Sequence, residues 1–235
     1  MLGLTFARPR AMERADFDGV VDAFAHAAEY AHKCGYDGVQ LHAAHGYLLA
    51  KFLSPATNRR TDQYGGSITN RGRLVMEIAS EIRRRVANPS FSLGIKLNSV
   101  EFQEAGLTPG ECGELCAELE RARFDYVELS GGTYQSLAFE HRRESTRRRE
   151  AYFLEFADMI VPRLRNTTKA YVTGGFRTAS AMVEALRTVH GVGLARPAAS
   201  EFDLPKKILH DGVSGAIRSP DDDDFGTTLL AAGTQ

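Results

Sequence analysis

Several features that would place a protein in a particular class are missing from this 235-residue sequence. No apolar run approaches the roughly 18 residues of a membrane-spanning helix, and the first residues lack the charged-then-apolar order of a signal peptide. The 29 Lys and Arg residues nearly balance 30 Asp and Glu residues, which removes an overall attraction to nucleic acid or anionic membranes. The 3 cysteines form no C-x-x-C pair and are too few for a disulfide framework. We therefore expect a cytoplasmic protein with neither nucleic-acid nor membrane partners.

The apolar pattern alternates between helical and strand periodicity along the chain. Residues 16–34 and 67–86 each carry apolar side chains on one helical face, and Thr108-Pro109-Gly110-Glu111 is a capping box that begins another helix. Short apolar runs predict five strands, at residues 38–41, 91–97, 126–130, 170–173 and 191–194. This alternation favours parallel strands joined by right-handed crossovers, in a single domain over residues 1–235.

Five strands fit either an open doubly wound sheet or part of a (β/α)8 barrel, and both place active sites at the C-terminal strand ends. The sequence lacks the G-x-G-x-x-G motif, which removes the main support for a dinucleotide-binding doubly wound fold. Two consecutive strands end in Gly174-Gly175 and in Ala195-Arg196. Backbone N–H groups and a guanidinium suit a phosphate dianion, and the last two loops of a barrel commonly bind phosphate.

The segment His42-Ala43-Ala44-His45-Gly46-Tyr47 places two imidazoles and a phenol at the end of the first strand. Two imidazoles can donate hydrogen bonds to one oxygen, and a tyrosine can supply a proton at a defined position. The alternative is that the histidines only satisfy buried backbone groups. We predict no metal site, because H-x-x-H alone is not a metal signature and no third ligand follows from the spacing.

Lys96 lies in the middle of an apolar strand, where a charged side chain needs a partner or a solvated pocket. It either faces the same pocket as His42 or forms a structural ion pair. Residues 54–71 form a long polar segment without periodicity, and long ordered loops are often functional. We predict that its polar side chains anchor the loop by hydrogen bonds. The candidates are Arg59, Asp62, Asn70 and Arg71.

One long motif and several shorter stretches closely resemble the old yellow enzyme family of flavin-dependent NADH:flavin oxidoreductases and ene-reductases. The motif begins with Gly38-Val39-Gln40-Leu41-His42-Ala43-Ala44-His45-Gly46-Tyr47 and continues through the polar segment to Asn70-Arg71. Residues 126–134, 171–176 and 191–197 also look like later strands of that family.

The resemblance implies a (β/α)8 barrel that holds FMN, with NADH or NADPH as the reductant and an α,β-unsaturated carbonyl compound as the substrate whose C=C bond is reduced. His42 and His45 would hydrogen-bond the substrate carbonyl oxygen. Tyr47 would give a proton to the carbon α to that carbonyl.

The resemblance also assigns residues to the cofactor. Gly174, Gly175, Ala195 and Arg196 match the family's phosphate-binding loops. Lys96 matches a position beside the pyrimidine edge of the flavin that is commonly Arg in the family. Lysine keeps the positive charge there but loses the bidentate fork of arginine.

In the family, the motif that begins near residue 38 belongs to about the fourth βα unit, so we expect a partial TIM (β/α)8 barrel of about five parallel βα units that lacks the first three. Such a barrel exposes two sheet edges, which predicts a homo-oligomer or a partner chain. Two other functions stay open at this point: a flavin-free isomerase or cyclase that uses the His-His-Tyr pocket, and an inactive truncated remnant.

Overall fold

The computed structural model describes residues 10–101, 105–131, 154–165 and 167–217. Within them, five strands form one parallel sheet, and helices connect the strands. The strands are β1 (Gly38–Ala43), β2 (Ser92–Val100), β3 (Tyr126–Gly131), β4 (Lys169–Thr173) and β5 (Gly191–Gly193). The α-helices are α1 (Arg14–Lys33), α2 (Leu48–Leu53), α3 (Ile68–Val86), α4 (Pro109–Arg121), α5 (Leu154–Ile160), α6 (Ala179–Ala185), α7 (Arg196–Ser200) and α8 (Leu204–His210), with a 3-10 helix at Val161–Arg163.

The order of the strands decides between the two architectures. A doubly wound sheet reverses its strand order at a switch point, whereas consecutive units of a barrel lie side by side in chain order. The observed order is β1-β2-β3-β4-β5, without a reversal. The predicted fold class, a partial TIM (β/α)8 barrel of five parallel βα units, is therefore confirmed.

The two faces of the sheet differ because successive side chains of a strand point to opposite faces. On β2, Leu93, Ile95 and Leu97 are fully buried in the apolar core that the helices cover. The alternate residues of each strand form what we call the inner face. Its polar and aromatic members are Gln40, His42, Lys96, Asn98, Tyr126, Glu128, Ser130, Tyr171 and Thr173.

The predicted helices form where the local sequence favours them. Ser67 caps α3 by accepting a hydrogen bond from the Asn70 N–H, and the apolar face of that helix is buried. The capping box of α4 is present, with Thr108 and Glu111 bonded reciprocally and Pro109 at the first helical position. Among the described residues, no helix combines the length and apolarity needed to cross a membrane.

Strands β1 and β2 run further than the apolar pattern predicts. The pattern ends them at Leu41 and Leu97, but β1 continues to Ala43 and β2 to Val100. The added residues keep the alternation, with His42 and Asn98 on the inner face. These two polar residues therefore lie within strands, each one residue beyond the predicted strand end. Helices α2, α7 and α8 were not predicted from the apolar pattern.

Candidate active site

The candidate site lies on the inner face, near the C-terminal ends of β1, β2 and β3. Register places His42 beside Lys96, and Lys96 beside Glu128, so these side chains form one row across three strands. The next row pairs Asn98 with Ser130. C-terminal strand ends are where barrel enzymes carry their active sites.

The structure brings the three predicted catalytic residues together. The ring centroids of His42 and His45 lie 5.3 Å apart, and those of His42 and Tyr47 lie 4.9 Å apart. The side chains of His42 and Tyr47 are exposed, and that of His45 is half-buried. A small molecule on the inner face can therefore contact two imidazoles and a phenol at once.

A sharp turn after β1 creates this cluster. His45 and Gly46 both have left-handed backbone conformations, with φ values of 60° and 79°. A non-glycine residue in this region is uncommon and must be held by its surroundings. The His45 N–H donates to Oδ1 of Asn98 over 3.1 Å, and its ring Nε2 lies 3.1 Å from Oγ of Ser130. The turn reverses the chain and returns Tyr47, which precedes α2, to the ring of His42.

The surroundings of both histidines favour the neutral ring over the charged one. Burial, then the charge of Lys96, and then His42 lower the pKa of His45 to about 4. Burial and then Lys96 also lower the pKa of His42. A neutral imidazole has one N–H donor and one acceptor nitrogen. Each ring can therefore donate one hydrogen bond to a ligand oxygen without carrying a charge.

The two roles considered for Lys96 coexist. Its side chain lies on the inner face, 22% exposed, and its Nζ is 2.9 Å from Oε1 of Glu128. Glu128 also accepts hydrogen bonds from Thr173 Oγ1 (2.6 Å) and Gln40 Nε2 (2.7 Å), so one carboxylate connects four strands. Although burial acts in the opposite direction, the hydrogen bonds from Thr173, Lys96 and Gln40 lower the pKa of Glu128.

Sequence reasoning missed Glu128. The signal was present, because Glu128 is a charged residue inside an apolar strand, as Lys96 is. Only the register of β2 against β3 shows that the two charges are neighbours.

The two predicted phosphate loops lie side by side, because β4 and β5 pair in parallel and both loops follow their C-terminal ends. Gly174 and Gly175 have φ values of 146° and 78°, which explains glycine at both positions. Ala195 precedes α7, and Arg196 is its first residue. The two loops bring glycine backbone N–H groups and a guanidinium to adjacent positions, and these are groups that could hold a phosphate.

Arg71 anchors the polar loop, as predicted. Its side chain is 5% exposed, and it donates to the carbonyl oxygens of Leu53 (2.7 Å) and Gly66 (2.6 Å). It also donates to Oε1 of Glu111 on α4 over 2.5 Å. One guanidinium therefore joins the end of α2, the loop and α4.

The other predicted anchors differ among themselves. Asp62 accepts from the Tyr64 N–H and from Arg60, so it is an anchor. Asn70 lies in α3 and accepts from Arg73 of the same helix, so this bond does not itself hold the loop. Arg59 is exposed and makes no hydrogen bond or ion pair within the part of the chain that the structure describes, so its predicted anchoring role is wrong there. Asn58, which the prediction omitted, is buried and donates to two backbone carbonyl oxygens at 2.7 Å.

Comparison with known proteins agrees with this geometry. The model of the NADH:flavin oxidoreductase / NADH oxidase family matches residues 4–212. The NADH-dependent flavin oxidoreductase nadA of Aspergillus parasiticus is 51% identical over 218 residues, which are 92% of this chain and 49% of that protein. The NADH-dependent flavin oxidoreductase iccE of Talaromyces variabilis is 40% identical over 214 residues, covering 88% of this chain and 51% of that protein. The chain thus spans about half the length of the curated relatives it matches.

Solved structures give the same assignment. A 2-naphthoyl-CoA reductase complex superposes with a TM-score of 0.78 at 28% identity, over 86% of this chain and 30% of that one. Morphinone reductase in complex with tetrahydroNAD superposes with a TM-score of 0.69 at 26% identity, over 92% and 55%. The resemblance to old yellow enzymes seen in the sequence is confirmed, and with it an oxidoreductase family that uses FMN with NADH or NADPH. The chain belongs to the NADH:flavin oxidoreductase / NADH oxidase family.

Proposed function

We propose that this chain acts as an FMN-dependent NAD(P)H oxidoreductase that reduces the C=C bond of α,β-unsaturated carbonyl compounds. The observation that carries the proposal is the convergence of His42, His45 and Tyr47 at strand ends, where the pKa of each imidazole is lowered. The names of the relatives support NADH or NADPH as the reductant.

The residues present fit FMN. Gly174, Gly175, Ala195 and Arg196 would hold its phosphate, because the two loops adjoin and offer backbone donors and a guanidinium. Lys96 would place a positive charge near the flavin, and the negative charge of Glu128, which is paired with Lys96, would partly offset it. When bound, FMN supplies the hydride that is added to the alkene.

The chain's own residues would then handle the oxygen and the proton. Addition to the β-carbon builds negative charge on the carbonyl oxygen, and donors fixed at that oxygen act as an oxyanion hole. His42 and His45 would be those donors, and neutral rings hold the oxygen without giving up a proton to it. Tyr47 would hold the proton that is transferred to the α-carbon.

The first experiment measures cofactor binding and turnover separately. The purified chain is incubated with excess FMN and desalted, its visible spectrum is recorded, and NADH oxidation is then followed with 2-cyclohexenone. We expect a retained flavin band and enone-dependent NADH oxidation. Loss of the flavin band on desalting would contradict the proposal for this chain.

Variants test the residue roles. Tyr47→Phe should abolish most enone reduction while the flavin band is retained, and Tyr36→Phe, an exposed tyrosine in the turn after α1, is the matched control. His45→Ala should slow turnover by about 100- to 1,000-fold, the usual effect of removing one oxyanion donor. Isomerisation of an enone by a flavin-free preparation would favour the isomerase or cyclase alternative instead.

We also propose that a second copy or a partner chain covers the open sheet edges. Within the described ranges, β1 and β5 each pair with a strand on one side only, and unpaired edges favour association. Light scattering should detect an assembly larger than 25.8 kDa, the mass of one chain. A stable monomer at high concentration would refute this. A cytoplasmic location remains a prediction from the cysteine content.

A further inference from the structure

We propose that Ser130 is a positioning residue that sets the tautomer of His45. Its hydroxyl donates to Nε2 of His45, so that the ring proton resides on Nδ1 and is available as the donor to a ligand oxygen. The proposal rests on the 3.1 Å contact between these atoms and on the burial of Ser130. The use of the Nδ1 proton rests on the proposed function, whereas the tautomer does not.

Both partners of this contact are held in place. Oδ1 of Asn98 accepts the backbone N–H of His45, which fixes the left-handed turn that carries the ring. Oγ of Ser99 donates to the carbonyl oxygen of Ser130 over 2.8 Å, which ties β3 to β2 at this point. The contact between Ser130 and His45 therefore joins two fixed backbones rather than two mobile side chains.

The direction of this hydrogen bond follows from the needs of a buried hydroxyl. A serine hydroxyl has one proton to donate, and buried donors are almost always paired. Within the described residues, Nε2 of His45 is the partner that Oγ of Ser130 has. If Nε2–H donated to Oγ instead, the hydroxyl proton would have no acceptor among these residues. Donation from Ser130 pairs the hydroxyl proton with Nε2 and leaves the Nδ1–H of the half-buried ring for a ligand or solvent.

The surroundings of His45 make the tautomer matter. His42 on β1, Lys96 on β2 and Glu128 on β3 are the titratable groups that face it. Burial, then Lys96, and then His42 disfavour a second proton on the ring, so His45 has a single N–H to offer. With the proton on Nε2, that N–H would point at Ser130 and the ring would present only a lone pair to a ligand. With the proton on Nδ1, the ring remains a donor.

Nitrogen-15 NMR of the histidine rings in the purified chain, without flavin or substrate, tests the proposal directly. His45→Gln assigns the His45 signals. His190 is an internal reference for the opposite tautomer, because its Nδ1 accepts from the Ala170 N–H at 3.1 Å and must be unprotonated. We expect a protonated Nδ1 and a bare Nε2 in His45, the reverse of His190. A His45 signal that matches His190 would overturn the proposal.

Substitutions at Ser130 give a second readout. Ser130→Ala should shift the His45 signals toward the Nε2–H form and raise the titration midpoint of His45, because the lost donor stabilised the neutral ring. Ser130→Thr, which keeps the hydroxyl, should preserve both. A fall in the midpoint in Ser130→Ala would show that Ser130 accepts, and would refute the inference. These spectra do not depend on turnover. The tautomer of His45 can therefore be confirmed even if the chain does not reduce an enone, and enone reduction can be observed even if the tautomer assignment is wrong.

Discussion

Replacement of Arg71 should be among the most damaging changes to the stability of this fold. Arg71→Met removes three hydrogen bonds, to the carbonyl oxygens of Leu53 and Gly66 and to the carboxylate of Glu111. Methionine fills much of the volume but leaves the three acceptors unpaired. Breaking one side of a buried ion pair typically costs about 3–5 kcal/mol. We expect a loss in that range, a large part of the roughly 5–15 kcal/mol that stabilises a typical domain.

Urea unfolding followed by circular dichroism measures this loss. The matched control is Arg84→Met on the same helix, because Arg84 also donates to a carboxylate, that of Glu81, but is 69% exposed. Exposed ion pairs contribute little, so the midpoint of Arg84→Met should stay close to that of the unaltered chain. Arg71→Lys should fall between the two, since one ammonium cannot reach all three acceptors. If Arg71→Met shifts the midpoint no more than Arg84→Met, burial does not determine the strength of this contact and the reasoning is wrong.

Three further predictions concern the inner face. Gly94→Ala should lower the melting temperature, because an added Cβ would overlap the ring of Tyr126, and this overpacking should cost about 1–3 kcal/mol of stability. Adding Tyr126→Ala to the same chain should recover part of the lost stability. If it recovers none, the overlap with Tyr126 is not the cause of the loss. Glu128→Gln should lower the melting temperature, because Lys96 loses its countercharge. Thermal unfolding at low and high salt should show that the melting temperature of the variant depends less on salt than that of the unaltered chain. Acidification should destabilise the chain between about pH 6.5 and pH 4, since His45 binds its proton more readily when the chain is unfolded than when it is folded. In His45→Gln the free energy of unfolding should depend less on pH over this range. An unchanged pH dependence would contradict the lowered pKa of His45.

The sequence reveals the local chemistry of this protein well. The capping box at Thr108 and Glu111, the cluster from His42 to Tyr47 and the two loops after the last strands all depend on residues close together in the chain. The structure places each of them as expected. Parallel strands were also predictable, because helical and strand periods alternate.

Contacts between distant parts of the chain were not predictable. The pairing of Lys96 with Glu128, and of His45 with Ser130, depends on strand register, which a single sequence does not contain. The ends of β1 and β2 were misplaced for a related reason. His42 and Asn98 have polar side chains, but the inner face accepts them, so the strands continue past the apolar run.

The alternation along β2 has a consequence for how this strand tolerates change. Leu93, Ile95 and Leu97 should accept only apolar replacements of similar size, whereas Lys96 and Asn98 should respond to polarity and hydrogen bonding. A saturation mutagenesis profile of the strand should therefore repeat every second residue. Inserting or deleting one residue within β2 would exchange the two sets, because a slip of one position turns every side chain to the other face. Such a change would bury the lysine and expose the leucines, so core and site would be lost together.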